Sequence, residues 1–200
     1  MNNIILATSN KAKIKYFNTL FKNYPIETVE LPDNLKLDIK EDLFDIVGNA
    51  VKKATTYART TKSPAIGDDT GFFLPALNNM PGVAVRRWGG ELPDTVSDSE
   101  WLTFFKDKIK DLKNEELICI RKKVFCIALP TGEYKTFTNE LEGIIVDNPN
   151  PVYEQGGPLG AHFYVKKFNK ILSELLDEGL SDQQLTTDLE KILKEFKLLD

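Results

Sequence analysis

Three groups of residues have the types and spacing to do chemistry. The first is Asp68-Asp69-Thr70, two adjacent carboxylates and a hydroxyl set inside an otherwise apolar run from Pro64 to Leu74. Neighbouring carboxylates repel and lose hydration, a cost that a divalent cation or a polarised water between them offsets. The second is Thr8-Ser9-Asn10 with Lys13, hydroxyls and an ammonium group following a short apolar run. The third is an acidic loop that includes Glu41. Lysine and backbone N–H groups neutralise phosphate, carboxylates hold Mg²⁺ through oxygen, and one carboxylate orients water, so the combination suits metal-assisted phosphoryl chemistry. An isolated Asp-Asp pair suits a polar turn equally well, and only its companions favour a site.

The elements that must position these groups follow from periodicity. Residues 3–7 predict a strand and Lys11 to Asn23 a helix, with Ile14, Phe17, Leu20 and Phe21 on one face. The loop between them aims its amides at the helix N-terminus, where the dipole favours an anion. Lys13 is unfavourably placed for that dipole, a hint that something negative sits beside it. A strand over Ile26 to Glu30 and a helix over Leu43 to Thr60 follow. The acidic segment reads as a strand that breaks at Gly67, turns at Gly71 and resumes. Pro75 to Gly90 reads as a loop with at most one helical turn. Ser97 and Glu100 have capping-box spacing before a helix carrying Trp101 and Phe105, so Trp101 is core, while Trp88 suits core or stacking on a base. Residues 117–146 predict a long β-hairpin, with Gly143 at a bulge or close approach. A loop through Gly156 to Gly160 leads to a strand from Ala161 to Val165. Helices are expected over Asn169 to Asp177 and Ser181 to Lys197, the second with a Ser181/Gln184 capping box.

Composition narrows the classes. Two hundred residues, 42% hydrophobic, provide one domain with a sizeable core, residues 1–200. A net charge of −4 argues against a nucleic-acid polymer or an anionic membrane as partner, though not against a phosphorylated small molecule. Cys119 and Cys126 would face opposite sides of one strand, which disfavours a disulfide, and His162 has no second histidine with which to form a zinc site. Without an apolar run of membrane-spanning length, the expected location is cytoplasmic.

Strict Walker A, Gly-x-Gly-x-x-Gly and Gly-x-Ser-x-Gly motifs are absent. Instead, Ala7 to Lys13, Gly67-Asp68-Asp69-Thr70-Gly71 and Leu77 to Val83, followed by Arg87, resemble in order and spacing the inosine triphosphate pyrophosphatase family, the Ham1-like nucleotide enzymes. The resemblance implies hydrolysis of a nucleoside triphosphate between its α and β phosphates with Mg²⁺, in a homodimer. It implies a phosphate loop of Thr8, Ser9, Asn10 and Lys13, Glu41 as metal-side acid, Asp69 as water-activating base and Thr70 as a substrate contact. Lys53 matches the lysine of the family's Glu-Asn-Ala-x-x-Lys-Ala helix, although Gly48 replaces the glutamate; a solvated helix face is the alternative for it. Asp68 joins Glu41 and Asp69 as an expected metal ligand.

The second half departs from the family. Gly156 to Phe163 replaces its Gly-Phe-Gly-Tyr/Trp-Asp-Pro loop without the aspartate, and Thr186-Thr187-Asp188 stands where the family has Ser-His-Arg. Gly157 and His162 are expected as substitute substrate contacts, His162 being otherwise a packed side chain. The expected architecture is an α/β fold, a long mixed, twisted β-sheet flanked by helices in two lobes with a central cleft. The expected substrates are non-canonical nucleotides such as ITP, XTP and dITP. Two rivals stand beside this reading: the same chemistry on another base, or a non-catalytic nucleotide-binding descendant.

Overall fold

The computed structural model describes residues 2–32, 37, 39, 45–178 and 183–199. Glu41 and Ser181, both singled out above, lie outside the described residues. Among the described residues, eight strands and five α-helices follow one another as β1 (Asn2–Leu6), α1 (Lys11–Phe21), β2 (Ile26–Val29), α2 (Ile46–Thr61), β3 (Ala65–Leu74), β4 (Met80–Gly82), α3 (Asp98–Ile109), β5 (Ile118–Ala128), β6 (Tyr134–Ile145), β7 (Phe163–Val165), β8 (Lys170–Ile171), α4 (Leu172–Asp177) and α5 (Gln183–Glu195). The strands hydrogen-bond in the order β2-β1-β3-β5-β6-β7-β8, with β4 on β3. The sheet is mixed: β1 is parallel to β2 and β3, whereas β3/β4, β6/β7 and β7/β8 are antiparallel. The chain is α/β, as expected.

Two compact units divide it. The first comprises residues 1–69, 123–139 and 179–200, the second residues 70–122 and 140–178, so β3, β5 and β6 each contribute to both. In the first unit, Ile4, Leu6 and Ile66 share a core with Phe17, Leu20 and Phe21 of α1 and Leu185, Leu189 and Leu193 of α5. These strand residues alternate along β1 and β3, so they define one sheet face, and α1 and α5 cover it. On the other face, α2 presents Ala50, Lys53 and Ala54 to Gly67 of β3. In the second unit, Trp88, Trp101 and Phe105 pack with Phe72, Leu74, Phe163, Val165 and Leu172.

Several expectations need correction. Strand β3 runs unbroken through Gly67 and Gly71. Neither glycine is a turn: a Cβ on Gly67 would lie 2.9 Å from Ala54 N, and one on Gly71 3.0 Å from Gly82 O, so each marks a close approach. Helix α2 starts at Ile46 because the Asp45 side chain accepts from the Val47 and Gly48 amides and caps it there. Residues 75–90 hold two 3₁₀ turns and β4, and Trp88 is 2% exposed within the second core. Asn169 adopts a left-handed conformation (φ 51°) and leads into β8, so the helix expected from it begins at Leu172. The strand expected from Ala161 starts at Phe163, after a 3₁₀ segment. The Ser97/Glu100 capping box and the 118–145 hairpin are present, and a Cβ on Gly143 would meet Tyr164 O at 2.2 Å. Among the described residues no helix is long and apolar enough to cross a membrane.

Candidate active site

The site begins where β1 ends. After Leu6 the chain leaves the sheet through Thr8-Ser9-Asn10; the Thr8 hydroxyl accepts from the Asn10 amide at 3.2 Å, and the Asn10 side chain accepts from the Lys13 amide at 3.2 Å, capping α1. Strand β3 lies beside β1 in parallel, with Ile5 opposite Ala65 and Leu6 opposite Ile66. The Ala7 amide still donates to the Ile66 carbonyl oxygen at 2.8 Å, so the loop departs from β1 just before the Asp68-Asp69 pair on β3. With β2 and β3 on opposite sides of β1, the loop that leaves β1 stands at the carboxyl edge of these parallel strands, the edge at which open α/β sheets bind ligands.

Alternation along β3 sends its two carboxylates to opposite faces. Asp68 shares the face of Ile66 and meets α1: its Oδ2 lies 3.1 Å from Lys13 Nζ and 3.3 Å from Lys123 Nζ on β5. Lys13 Nζ also donates to the Asp68 carbonyl oxygen at 3.4 Å. Asp69 shares the face of Gly67 and meets α2: Asn49 Nδ2 donates to its Oδ2 at 2.9 Å, and Lys53 Nζ stands 3.8 Å from its Oδ1. Asn49 and Lys53, four residues apart, occupy one helix face. A cation placed between the two adjacent carboxylates does not fit this arrangement, because the pleat directs them apart. The negative partner that Lys13's unfavourable position hinted at is in the first place Asp68.

Burial decides what these groups can meet. The Lys123 and Asp68 side chains are 3% and 0% exposed, whereas Lys13 is 22% exposed. Lys13 is therefore the ammonium that can reach a ligand, and Asp68 anchors it. Burial alone would raise the Asp68 carboxyl, but the ammonium groups of Lys123, Lys13 and Lys53, with the Lys13 hydrogen bond, outweigh it and hold that carboxyl far below the ordinary range. Among the described residues, three ammonium groups face two carboxylates here, a balance suited to an anion.

Among the described residues no group of three His, Cys, Asp or Glu side chains gathers to hold a metal. Mg²⁺ is compatible nonetheless, because it characteristically takes one or two carboxylates and completes its shell with water and substrate phosphate. Asp69, a hard oxygen donor set by Asn49, fits that habit.

The structure thus brings Lys13, Lys53, Asp68 and Asp69 together in the first unit, beside the Thr8–Asn10 loop. Thr70 follows them on β3 at the start of the second unit. Gly157 and His162 also belong to the second unit, where Gly157 precedes a 3₁₀ segment and His162 is buried with Nδ1 3.1 Å from Val146 O. Sequence reasoning missed Lys123 and Asn49. Lys123 alternates with Phe125 and Ile127, so strand periodicity pointed it inward, and Asn49 sits one helical turn before Lys53.

In its fold the chain matches a Ham1 protein from Coxiella burnetii, with a TM-score of 0.70, 23% identity and coverage of 98% of this chain and 100% of that one. The class defined is thus an α/β protein with a mixed sheet, its candidate site lying at the end of β1 and on the middle residues of β3. A family model described as the Ham1 family matches residues 4–181, and the chain belongs to that family. Its relatives include a dITP/XTP pyrophosphatase of Geobacter sulfurreducens, 29% identical over 178 residues and 88% of this chain and 86% of that one. Another is the dITP/XTP pyrophosphatase of Listeria innocua, 28% identical over 208 residues and 98% of both chains.

Proposed function

We propose that the chain is a Mg²⁺-dependent nucleoside triphosphate pyrophosphohydrolase that releases a nucleoside monophosphate and pyrophosphate, acting on non-canonical purine triphosphates such as dITP, ITP and XTP. The observation that carries the reading is the cluster of Lys13, Lys53 and Lys123 around Asp68 and Asp69 beside the N-terminus of α1, three ammonium groups to two carboxylates among the described residues. Family membership and the names of the relatives support it.

Each residue has a role in that reaction. The Thr8–Asn10 loop and Lys13 bind the phosphates, where the helix dipole adds to the ammonium charge. Lys53 adds positive charge near Asp69. Asp69, held by Asn49, takes a proton from the attacking water. Asp69 and Glu41 would hold Mg²⁺, which when bound neutralises phosphate charge and polarises oxygen; Asp68 serves Lys13 in the first instance. Thr70, Gly157 and His162 are proposed substrate contacts. A homodimer and a cytoplasmic location complete the proposal.

A second reading keeps the chemistry and changes the base. It is favoured by the replacement of the base-reading loop at 156–163, where His162 stands with a buried Nε2 that makes no hydrogen bond among the described residues. The test is incubation with Mg²⁺ and a panel of canonical and deaminated triphosphates, with pyrophosphate as readout. Turnover of dITP or XTP above the others supports the first reading and turnover of another base the second. Absence of pyrophosphate from every nucleotide contradicts both.

A further inference from the structure

Lys123 is buried beyond the reach of any phosphate, yet it is a lysine. Its ammonium lies 3.7 Å from the centre of the Tyr16 ring, 4.9 Å from that of Phe125 and 5.4 Å from that of Phe17. A methionine would fill this aromatic box with favourable sulfur contacts and no ion to desolvate, so packing does not account for a charge there. What the charge meets is Asp68 Oδ2, the same oxygen that Lys13 approaches from the more exposed side.

We propose that Lys123 is a positioning residue for the polyphosphate: it neutralises Asp68 from within, so that this carboxylate anchors Lys13 without cancelling its charge. The inference rests on the reading of the site as a triphosphate site. Lys13, Asp68 and Lys123 together carry one surplus positive charge; without Lys123 that surplus vanishes, and without both Lys123 and Asp68 it returns. Lys13 keeps a second hold on β3 in every case, because it also donates to the Asp68 main-chain oxygen. Tyr16 lies one turn after Lys13 on α1, so the cation also ties the first turns of that helix to β5.

The experiment is calorimetric titration with inorganic tripolyphosphate in the absence of divalent cations. Lys123→Met should weaken binding by about tenfold or more, and the double variant Lys123→Met/Asp68→Asn should return to within about threefold of the parent, because Coulomb attraction follows the restored charge. Lys123→Gln, neutral but polar, serves the same comparison should the methionine variant fail to fold. A purely structural role predicts the opposite order, the double variant binding no better than the single. That order, wild-type affinity in Lys123→Met, or a parent protein that does not bind tripolyphosphate overturns the proposal. Pyrophosphate release from nucleotides is measured in parallel. A parent that binds tripolyphosphate and shows this series without hydrolysing any nucleotide refutes the hydrolase reading alone. A parent that hydrolyses while Lys123→Met binds normally refutes this inference alone.

Discussion

Replacing Gly67 by alanine tests how tightly α2 must sit against β3 for the Asp69 side of the site to exist. The new Cβ would stand 2.9 Å from Ala54 N, 3.1 Å from Ala50 O and 3.1 Å from Lys53 Cβ. Two of these neighbours are helix backbone, which has no rotamer with which to move aside. The first contact is about 0.5 Å inside the 3.4 Å at which ordinary packing begins, so the helix must retreat by roughly that distance. Overpacking of this kind costs about 1–3 kcal/mol, while alanine recovers about 0.4–1 kcal/mol through the unfolded chain, so the net remains destabilising by about 1–2 kcal/mol. For a chain of this size that lowers the melting temperature by about 2–8 °C. Asn49 and Lys53 retreat with the helix, and the Lys53–Asp69 separation is already 3.8 Å. A misplacement of half an ångström is expected to cost about tenfold in kcat/KM, since about 1 Å can cost a hundredfold. Differential scanning calorimetry and pyrophosphate release measure the two effects. Gly160→Ala is the control, its Cβ meeting only the Leu172 side chain at 3.7 Å or more, and it should melt with the parent. A Gly67→Ala protein that melts with the parent and turns over at the parental rate would refute the close-approach reasoning.

The two thiols should be inert in the folded protein: burial pushes both Cys119 and Cys126 up to about 12, though a backbone hydrogen bond from Phe73 works against this at Cys119. Iodoacetamide near pH 8 should label neither until the chain is unfolded, and rapid labelling of the native protein would contradict their burial. His162 gives a pH signature. Burial lowers its imidazole below the ordinary 6.5, the Val146 hydrogen bond opposes this, Lys106 adds to it and Asp147 opposes it. The unfolded chain therefore takes up the proton first, so the stability contributed is full above pH 6.5 and is lost as the pH falls below it. The urea midpoint should decline over that window in the parent and less so in His162→Gln; identical profiles would remove His162 as the cause.

How much of this was legible in the sequence depends on whether the deciding neighbour was local. The Thr8–Lys13 loop, the Ser97 cap and the 118–145 hairpin were legible because their signals, a cap residue, a period and a turn, lie within a few residues of one another. Gly67 and Gly71 were misread because a glycine in an apolar run signals either a bend or a close approach, and the decision belongs to α2 and Gly82, which are remote in sequence. Trp88 lies in a glycine-rich loop and gave no local sign that α3 would bury it. The adjacency of Asp68 and Asp69 suggested a shared cation because sequence distance was taken for spatial proximity, whereas strand alternation separates them. Lys123 was hidden by its company: in Arg121-Lys122-Lys123-Val124-Phe125 a basic run reads as surface, and only the face it shares with Phe125 marks it as internal.

If the cluster beside the N-terminus of α1 binds a triphosphate through its lysines and hydrolyses it through Asp69, the products and one substitution reveal it. Phosphorus NMR of a Mg²⁺–dITP or Mg²⁺–XTP reaction, run with the parent and with Asp69→Asn, tests this most directly. Monophosphate and pyrophosphate in equal amounts are expected from the parent, and a rate lower by about two orders of magnitude or more from a folded Asp69→Asn protein that still binds tripolyphosphate. Orthophosphate as the product, or an Asp69→Asn protein that works at the parental rate, would contradict it.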